Sequence, residues 1–266
     1  MKKTNLILTA MLAIALCFTA CSSDDNDNAP KITETVNGVT FEMVAVDGGT
    51  FTMGGTSEQG DDIYPERELP THSVTLSSFV IGKHEVTQGL WMAVMGSYPG
   101  TAPSDTYGIG DNYPVYNVSW DDVQTFITKL NELTGESYRL PTDAEWEYAA
   151  RGGKQSMGYK YSGSNTVGDV AWYSENSGVK TNPVGTKQAN ELGIYDMSGN
   201  VWEWCADWYG AYTADAVSNP TGSTSGSFRV NRGGSWHLNA RLVRVSVRNS
   251  SPPSNRNDYL GFRLAR

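Results

Sequence analysis

The sequence is short of the residues that build soft metal sites and disulfides. Of its 266 residues, three are cysteine and three are histidine. Cys17 and Cys21 lie near the N-terminus, so Cys205 stands alone in the remainder and no disulfide can form within that region. A lone cysteine between two tryptophan-containing stretches is most simply a small buried apolar residue, and a reactive thiol is the alternative.

Positive charge and long apolar runs are also scarce. The net charge is -9, and because phosphate binding needs a basic face, nucleic acid is not expected as a partner. The apolar stretch from Leu6 to Phe18 is shorter than the roughly 20 residues of a membrane-spanning helix. What the chain does contain is 28 glycines and 11 prolines, which indicate many turns.

The N-terminus has the pattern of a targeting segment. Lys2 and Lys3 precede the apolar stretch, and Thr19-Ala20 leads directly into Cys21. This order resembles the lipobox of bacterial lipoproteins, in which the cysteine is acylated. We therefore expect a signal peptide over residues 1–20 and a lipid on Cys21. An ordinary signal peptide is the alternative.

An acidic run, Ser22 to Asp27, follows Cys21 and predicts a flexible tether over residues 21–38. Such a run also resembles the surface-export signal of some Gram-negative lipoproteins. The expected location is the cell envelope, with the lipid at Cys21 anchoring the protein to the outer membrane and the domain exposed at the surface if the run is an export signal. Residues 39–266 read as one continuous domain without repeats.

Local patterns predict three helices. Apolar residues at helical spacing run from Thr87 to Met95 and stop at Gly96. Ser119 is a good N-cap, and Thr142 with Glu145 forms a capping box. The helix after Ser119 carries one apolar stripe: Trp120, Val123, Ile127, Leu130 and Leu133.

Strand signals are shorter. Val39 to Met53 has the pattern of a strand, a turn and a second strand, and Val74 to Gly82 that of a single strand. Short strands are also predicted for 228–232 and 260–264. A long polar loop covers 97–113, a length that is often functional in compact domains.

Several motifs in a fixed order carry a family resemblance. Arg139 to Gly152 reads RLPTDAEWEYAARG, Gly193 to Trp204 reads GIYDMSGNVWEW, and Arg232 to Val243 reads RGGSWHLNARLV. The chain then closes on LGFR at 260–263. Together these segments resemble the formylglycine-generating enzyme (sulfatase-modifying factor) family over about residues 43–263. The resemblance implies an α+β fold, a compact C-type-lectin-like variant with little regular secondary structure.

The resemblance also shows what is missing. In the family's oxidases two cysteines after the Gly-Gly-Ser-aromatic segment hold copper, and here those places are Leu238 and Val243. Copper(I) needs soft ligands, and neither side chain has a donor atom, so copper is not expected. Trp202, Ser235 and His237 remain as candidates for lining the former substrate groove. A lone histidine beside a tryptophan is more often packed than metal-bound.

A first calcium site is implied by the resemblance. The matching positions are Asp196, Gly199, Val201 and Glu203, which would supply two side chains and two carbonyl groups. Calcium prefers several oxygen ligands of this kind. The alternative is a turn in which Asp196 caps backbone amides and Glu203 pairs with an arginine.

A second calcium site would use Asp169, the Val170 carbonyl, Asn176 and the Gly178 carbonyl. Asn176 stands where the family has a carboxylate, which weakens the site. An ordinary polar loop is the alternative.

Three functional hypotheses follow. The first is a lipid-anchored binding or assembly module, without oxidase chemistry, that holds a peptide, a protein or a glycan in the former groove. The second is an enzyme of altered chemistry on the same scaffold. The third is a structural lipoprotein stabilised by calcium.

Overall fold

The computed structural model describes residues 31–266. Within that range no helix is long and apolar enough to cross a membrane. The predicted signal peptide, residues 1–20, and the lipidation site Cys21 lie outside the described residues.

The predicted tether is wrong at its C-terminal end. Strand β1, Lys31–Val36, pairs antiparallel with β2, Val39–Val46, through a two-residue turn at Asn37 and Gly38. Both turn residues have positive φ, 47° and 84°, as an Asn-Gly hairpin turn requires. Val36 is buried in the core. The folded domain therefore begins by residue 31 rather than 39, because this hairpin adds apolar side chains to the core.

The described chain forms three small sheets. Their orders are β1-β2-β5, β3-β4-β7 and β10-β6-β8-β9. The remaining strands are β3 Gly49–Met53, β4 His72–Leu76, β5 Phe79–Gly82, β6 Trp202–Trp208, β7 Val217–Ser218, β8 Arg229–Arg232, β9 Arg248–Ser251 and β10 Leu260–Gly261.

The single strand predicted for Val74 to Gly82 is two strands. The extended segment is interrupted at Ser77 and Ser78, so β4 belongs to one sheet and β5 to another. The neighbouring pair β2 and β3 is divided between the same two sheets. At Gly48 the backbones come so close that a Cβ would lie 2.4 Å from the Leu76 carbonyl oxygen. This crossing of two sheets is a tertiary contact that alternation along the sequence does not report.

The three predicted helices are confirmed, and two further short ones are present. The bounds are α1 Pro65–Glu68, α2 Gln88–Met95, α3 Trp120–Thr134, α4 Asp143–Ala150 and α5 Val167–Val170. Short 3-10 turns cover Ser57–Asp62, Gly153–Gln155 and Ala240–Leu242. Ser119 and Thr142 both form complete capping boxes, with Asp122 and Glu145. The prediction that Leu133 belongs to the apolar stripe of α3 is wrong. Leu133 is 51% exposed, and Phe126 is buried in the core instead.

Strand β6 joins the two main core clusters. Trp202 and Trp204 pack in the larger cluster, which also contains Trp91 stacked on Phe126 at 5.2 Å. Cys205 belongs to the second cluster. Neighbouring side chains on a strand point to opposite faces, so one short strand serves both clusters. The same strand carries the acidic residues Glu203 and Asp207.

Candidate functional site

Three buried carboxyl groups lie together where β6 begins. Glu85, Asp196 and Glu203 are each at most 2% exposed. Burial raises the pKa of Glu85 well above its usual range, Asp196 and Glu203 add to that rise, and the Arg263 guanidinium opposes it. The cluster therefore contains three carboxyl groups and one guanidinium group, that of Arg263.

Glu203 is held by a buried ion pair. Arg263 donates from Nε to Oε2 at 2.6 Å and from Nη2 to Oε1 at 2.7 Å. Trp146 Nε1 donates to Oε2 at 2.6 Å. The predicted alternative, a pairing of Glu203 with an arginine, is therefore present. A carboxylate has about four acceptor positions, so one position on Oε1 stays open.

Only one of the two carboxylate oxygens of Asp196 has a hydrogen-bond partner. Its backbone has a positive φ of 59°, and its Oδ2 accepts from the Gly185 amide at 2.7 Å. Its Oδ1 is buried without a hydrogen-bond partner. Burial is the main reason that the pKa of Asp196 rises to about 6, and the carboxylate of Glu203 adds to it.

These groups fit an oxygen-liganded cation in part. Among residues 31–266, no three His, Cys, Asp or Glu side chains gather in a metal-binding arrangement. Calcium at this turn would therefore need Asp196, the open position on Glu203, and the carbonyls of Gly199 and Val201 together. The unpartnered Oδ1 of Asp196 is the feature that a cation would satisfy.

In the second predicted calcium loop, two of the side chains already have hydrogen-bond partners. Asn176 Oδ1 accepts from the Tyr173 amide at 2.9 Å, and its Nδ2 donates to the Ala171 carbonyl at 2.9 Å. The Asn176 side chain thus closes its own loop, and Asp169 Oδ2 accepts from the Ser164 hydroxyl at 3.3 Å. Val170 is buried at the end of α5 and Gly178 has a positive φ of 69°. These contacts are those of the polar loop that we gave as the alternative.

The two positions that match the copper ligands lie in different packing environments. Leu238 is partly buried against the larger core cluster. Val243 is fully buried in a small cluster with Tyr161 and Tyr173. Both places are thus filled by hydrocarbon side chains that contribute to the core.

An open groove adjoins Leu238. Its cavity has a volume of about 340 Å³. Its apolar walls are Trp202, Leu238, Leu242, Val247 and Tyr259, and its polar rim includes Glu66, Arg67, His237 and Asn249. Trp202 is only 4% exposed and forms part of the buried floor.

His237 and Ser235 form a pair beside this groove. Ser235 Oγ lies 3.2 Å from His237 Nδ1, but Ser235 is completely buried. The His237 ring packs against Trp236 and Tyr259, with centroids 5.1 and 4.5 Å away. Burial lowers the pKa of His237, and the Asp258 carboxylate partly offsets this. Because the serine hydroxyl faces the protein interior, the pair does not form an accessible nucleophile.

Cys205 is a structural residue, as its sequence context predicts. It is a free cysteine, completely buried in the second core cluster. Burial raises the pKa of its thiol well above the usual range, so the nucleophilic thiolate is disfavoured.

Sequence reasoning missed the two partners that complete the carboxyl cluster. Glu85 Oε2 accepts from Asn200 Nδ2 at 2.7 Å, across 115 positions of sequence. Arg263 lies 60 positions from Glu203. Arg263 stands within the LGFR segment that resembles the family, and that was the available signal for it.

Comparison with known proteins agrees with this architecture. Residues 29–266 match the family described as the sulfatase-modifying factor enzyme 1-like domain. The chain is 33% identical to the chaperone protein LppX of Paenibacillus barcinonensis, covering 90% of this chain and 91% of that protein. It is 30% identical to the formylglycine-generating enzyme of Thermomonospora curvata, covering 84% and 92%.

Two solved structures extend the comparison to the fold. Treponema denticola variable protein 1 superposes with a TM-score of 0.78 at 34% identity, covering 88% of this chain and 98% of that one. PvdO from Pseudomonas aeruginosa gives 0.72 at 32% identity, covering 85% and 94%. The α+β, C-type-lectin-like fold is therefore confirmed. The chain belongs to the sulfatase-modifying factor enzyme 1-like family.

Proposed function

We propose that this protein is a non-oxidase binding or assembly module that holds an extended polypeptide segment in the groove beside Leu238. The observation that carries the proposal is the groove itself, which stays open at about 340 Å³ while Leu238 and Val243 fill the places of the copper ligands. Neither side chain can ligate a metal.

The groove has the chemistry of a peptide site. Trp202, Leu238 and Tyr259 offer apolar and aromatic surface for a client side chain. Glu66, Arg67 and Asn249 at the rim offer donors and acceptors for peptide amides and carbonyls. A relative named as a chaperone, 33% identical over nearly its whole length, supports a polypeptide client.

Lipidation at Cys21 would hold this module in the cell envelope, at the outer membrane. Acylation of that cysteine predicts that the protein partitions into detergent and that Cys21→Ser releases it into the aqueous phase. Labelling cells with a radioactive fatty acid tests the anchor, and label retained on Cys21→Ser would contradict it.

The binding test uses the full chain in detergent and a library of immobilised peptides. We expect Leu238→Glu to weaken peptide binding by about tenfold or more, because a carboxylate would stand in the apolar wall. Leu133→Glu is the matched control, since Leu133 is exposed on α3 and far from the groove lining. Tyr259→Ala is a second groove variant, in case Leu238→Glu unfolds the protein.

Two results would overturn the proposal. One is peptide binding that both groove variants leave unchanged in folded protein. The other is copper-dependent conversion of a cysteine in a sulfatase peptide to formylglycine. Binding to an immobilised glycan library, with no peptide bound, would assign the groove to a glycan instead.

We propose further that calcium binds at Asp196, Gly199, Val201 and Glu203. The support is the buried Asp196 Oδ1 that lacks a partner and the excess of carboxyl groups around Arg263. Bound calcium would neutralise these carboxylates and tie the turn before β6 to the strand. The same is not proposed for the loop of Asp169 and Asn176.

A further inference from the structure

A second cavity, separate from the groove, lies beside the other end of β6. Its volume is about 450 Å³, and it opens between the start of α4, the end of β6 and the exposed loop after Tyr209. Arg248 contributes to the walls of both this cavity and the groove. We call it the Asp207 cavity, after the acidic residue that lines it.

The carboxyl group of Asp207 has no cationic partner of its own. Asp207 is 4% exposed, and its Oδ2 accepts from the Asp143 backbone amide at 2.9 Å. Within residues 31–266 it forms no ion pair, whereas Asp143 pairs with both Arg232 and Arg248. Two arginines thus pair with the neighbouring acid, and Asp207 is left without a hydrogen-bonded counter-ion.

The walls of the Asp207 cavity are largely aromatic and aliphatic. Trp208 is stacked on the Arg229 guanidinium at 3.5 Å. Tyr212 is fixed between Arg248, at 3.9 Å, and the edge of His72, at 4.6 Å. Met53, Ala144 and Val217 complete the apolar lining. These walls are already immobilised, so a ligand stem would meet a preformed surface.

We propose that the Asp207 cavity binds a primary ammonium group on an aliphatic stem, that is, a lysine side chain or a comparable amine. The ammonium would donate to Asp207 and become the counter-ion that the chain does not supply. The stem would pack against Trp208, Val217 and Met53, as lysine stems do on apolar surfaces. This inference goes beyond the groove proposal, because a single side chain needs only the cavity.

The charges around Asp207 set how this binding depends on pH. Burial raises the pKa of Asp207 to about 7, and the Asp143 and Glu145 carboxylates of α4 act in the same direction. Arg248 of β9 and the Asp143 amide lower it. Arg229 of β8, which stacks on Trp208, also interacts electrostatically with Asp207. Arg232 of β8, Tyr212 and His72 of β4 lie next to the cavity as well. Amine binding should therefore strengthen as pH rises through about 7, because the carboxylate then forms.

The test measures the binding of two small probes to the full chain by titration calorimetry. The probes are N-acetyl-lysine amide and N-acetyl-norleucine amide, which share the stem and differ in the ammonium. At pH 8 we expect the lysine probe to bind about tenfold more tightly or better, as a charge-assisted hydrogen bond allows. This preference should shrink at pH 6.

Variants separate the cavity from general effects. Asp207→Asn keeps an acceptor for the Asp143 amide and should abolish both the lysine preference and its pH dependence. Glu191→Gln removes a partly buried acid outside the cavity and should leave both intact. Ala211→Trp, which would block the cavity mouth, should prevent binding of either probe.

Equal binding of the two probes to wild-type protein, or a lysine preference that persists in folded Asp207→Asn, would overturn the inference. Because Asp207 does not line the groove, the effect of Asp207→Asn on the lysine preference does not depend on whether the groove binds polypeptide.

Discussion

Several charged side chains of this protein lie in its interior. Arg232, Arg244 and Arg263 are all completely buried, and each is paired with a buried carboxylate. Such pairs add little net stability when intact, but removing one partner leaves a charge that water cannot reach. The residues most sensitive to substitution are therefore these ion pairs.

Arg263→Met should destabilise the protein by about 3–5 kcal/mol, because it leaves Glu203 buried without its guanidinium. Urea unfolding followed by tryptophan fluorescence measures the loss. Arg256→Met is the control: its pair with Asp122 is largely exposed on the arginine side and should cost less than about 1 kcal/mol. Equal effects of the two substitutions would contradict this account.

Asp207 should make stability fall as pH rises. Its pKa is about 7 in the folded protein against a reference of 3.8, so the folded state holds its proton where the unfolded chain has lost it. The contribution of this proton to the free energy of unfolding is fully present below about pH 4 and is lost as the pH rises to about 7. Compared with wild type, Asp207→Asn should therefore show a flatter profile of unfolding free energy over that window. Parallel profiles would exclude a raised pKa at this residue.

At the scale of elements, the helices are specified by their ends. Ser119 Oγ accepts from the Asp122 amide at 3.1 Å, and the Asp122 carboxylate accepts from the Ser119 amide at 2.8 Å. The left-handed Gly135, with φ of 75°, ends the same helix. These signals lie within a few residues of one another, which is why the sequence alone predicted α3 and α4.

Ser119→Ala should cost about 1 kcal/mol, because the Asp122 amide in the first turn of α3 loses its cap. Guanidinium unfolding, with circular dichroism as the readout, provides the measurement. Thr125→Ala, on the exposed face of the same helix, should stay within about 0.5 kcal/mol. The cap argument fails if both substitutions cost the same.

In the whole molecule, no single extended sheet joins the parts of the described chain. Its three small sheets and its helices are held together by contacts between residues distant in sequence. The turn that precedes β6 reaches Glu85, near α2, and Arg263, next to β10. An ion at this turn would thus connect distant parts of the chain, and its removal should be felt globally.

Calcium should raise the melting temperature, and chelation should lower it, because the ion binds only the folded state. At a calcium concentration one hundred times Kd, binding stabilises the folded state by about 2.7 kcal/mol. Scanning calorimetry with calcium or EDTA measures this shift. Asp196→Ala should abolish the response, whereas Asp169→Ala, in the second loop, should retain it. A melting temperature insensitive to calcium in wild-type protein would exclude the first site.

The order of amino acids is enough to predict the features that depend on near neighbours or on residue identity. The N-cap at Ser119, the capping box at Thr142 and the burial of lone Cys205 could all be predicted, because each follows from a local pattern or from side-chain chemistry. The lack of thiols at 238 and 243 is likewise a matter of residue identity. The order of motifs also carried the α+β fold through family resemblance.

The contacts between distant groups follow from the packing of the folded chain. Glu85 joins Asp196 and Glu203 across more than a hundred positions, the stretch from Val74 to Gly82 divides between two sheets, and β1 turns an expected tether into core. This packing also left Asp207 without a hydrogen-bonded cation while giving Asp143 two. Hydrophobic periodicity and capping report the environment of one segment, whereas these pairings depend on how separate segments pack, and no local pattern encodes that choice.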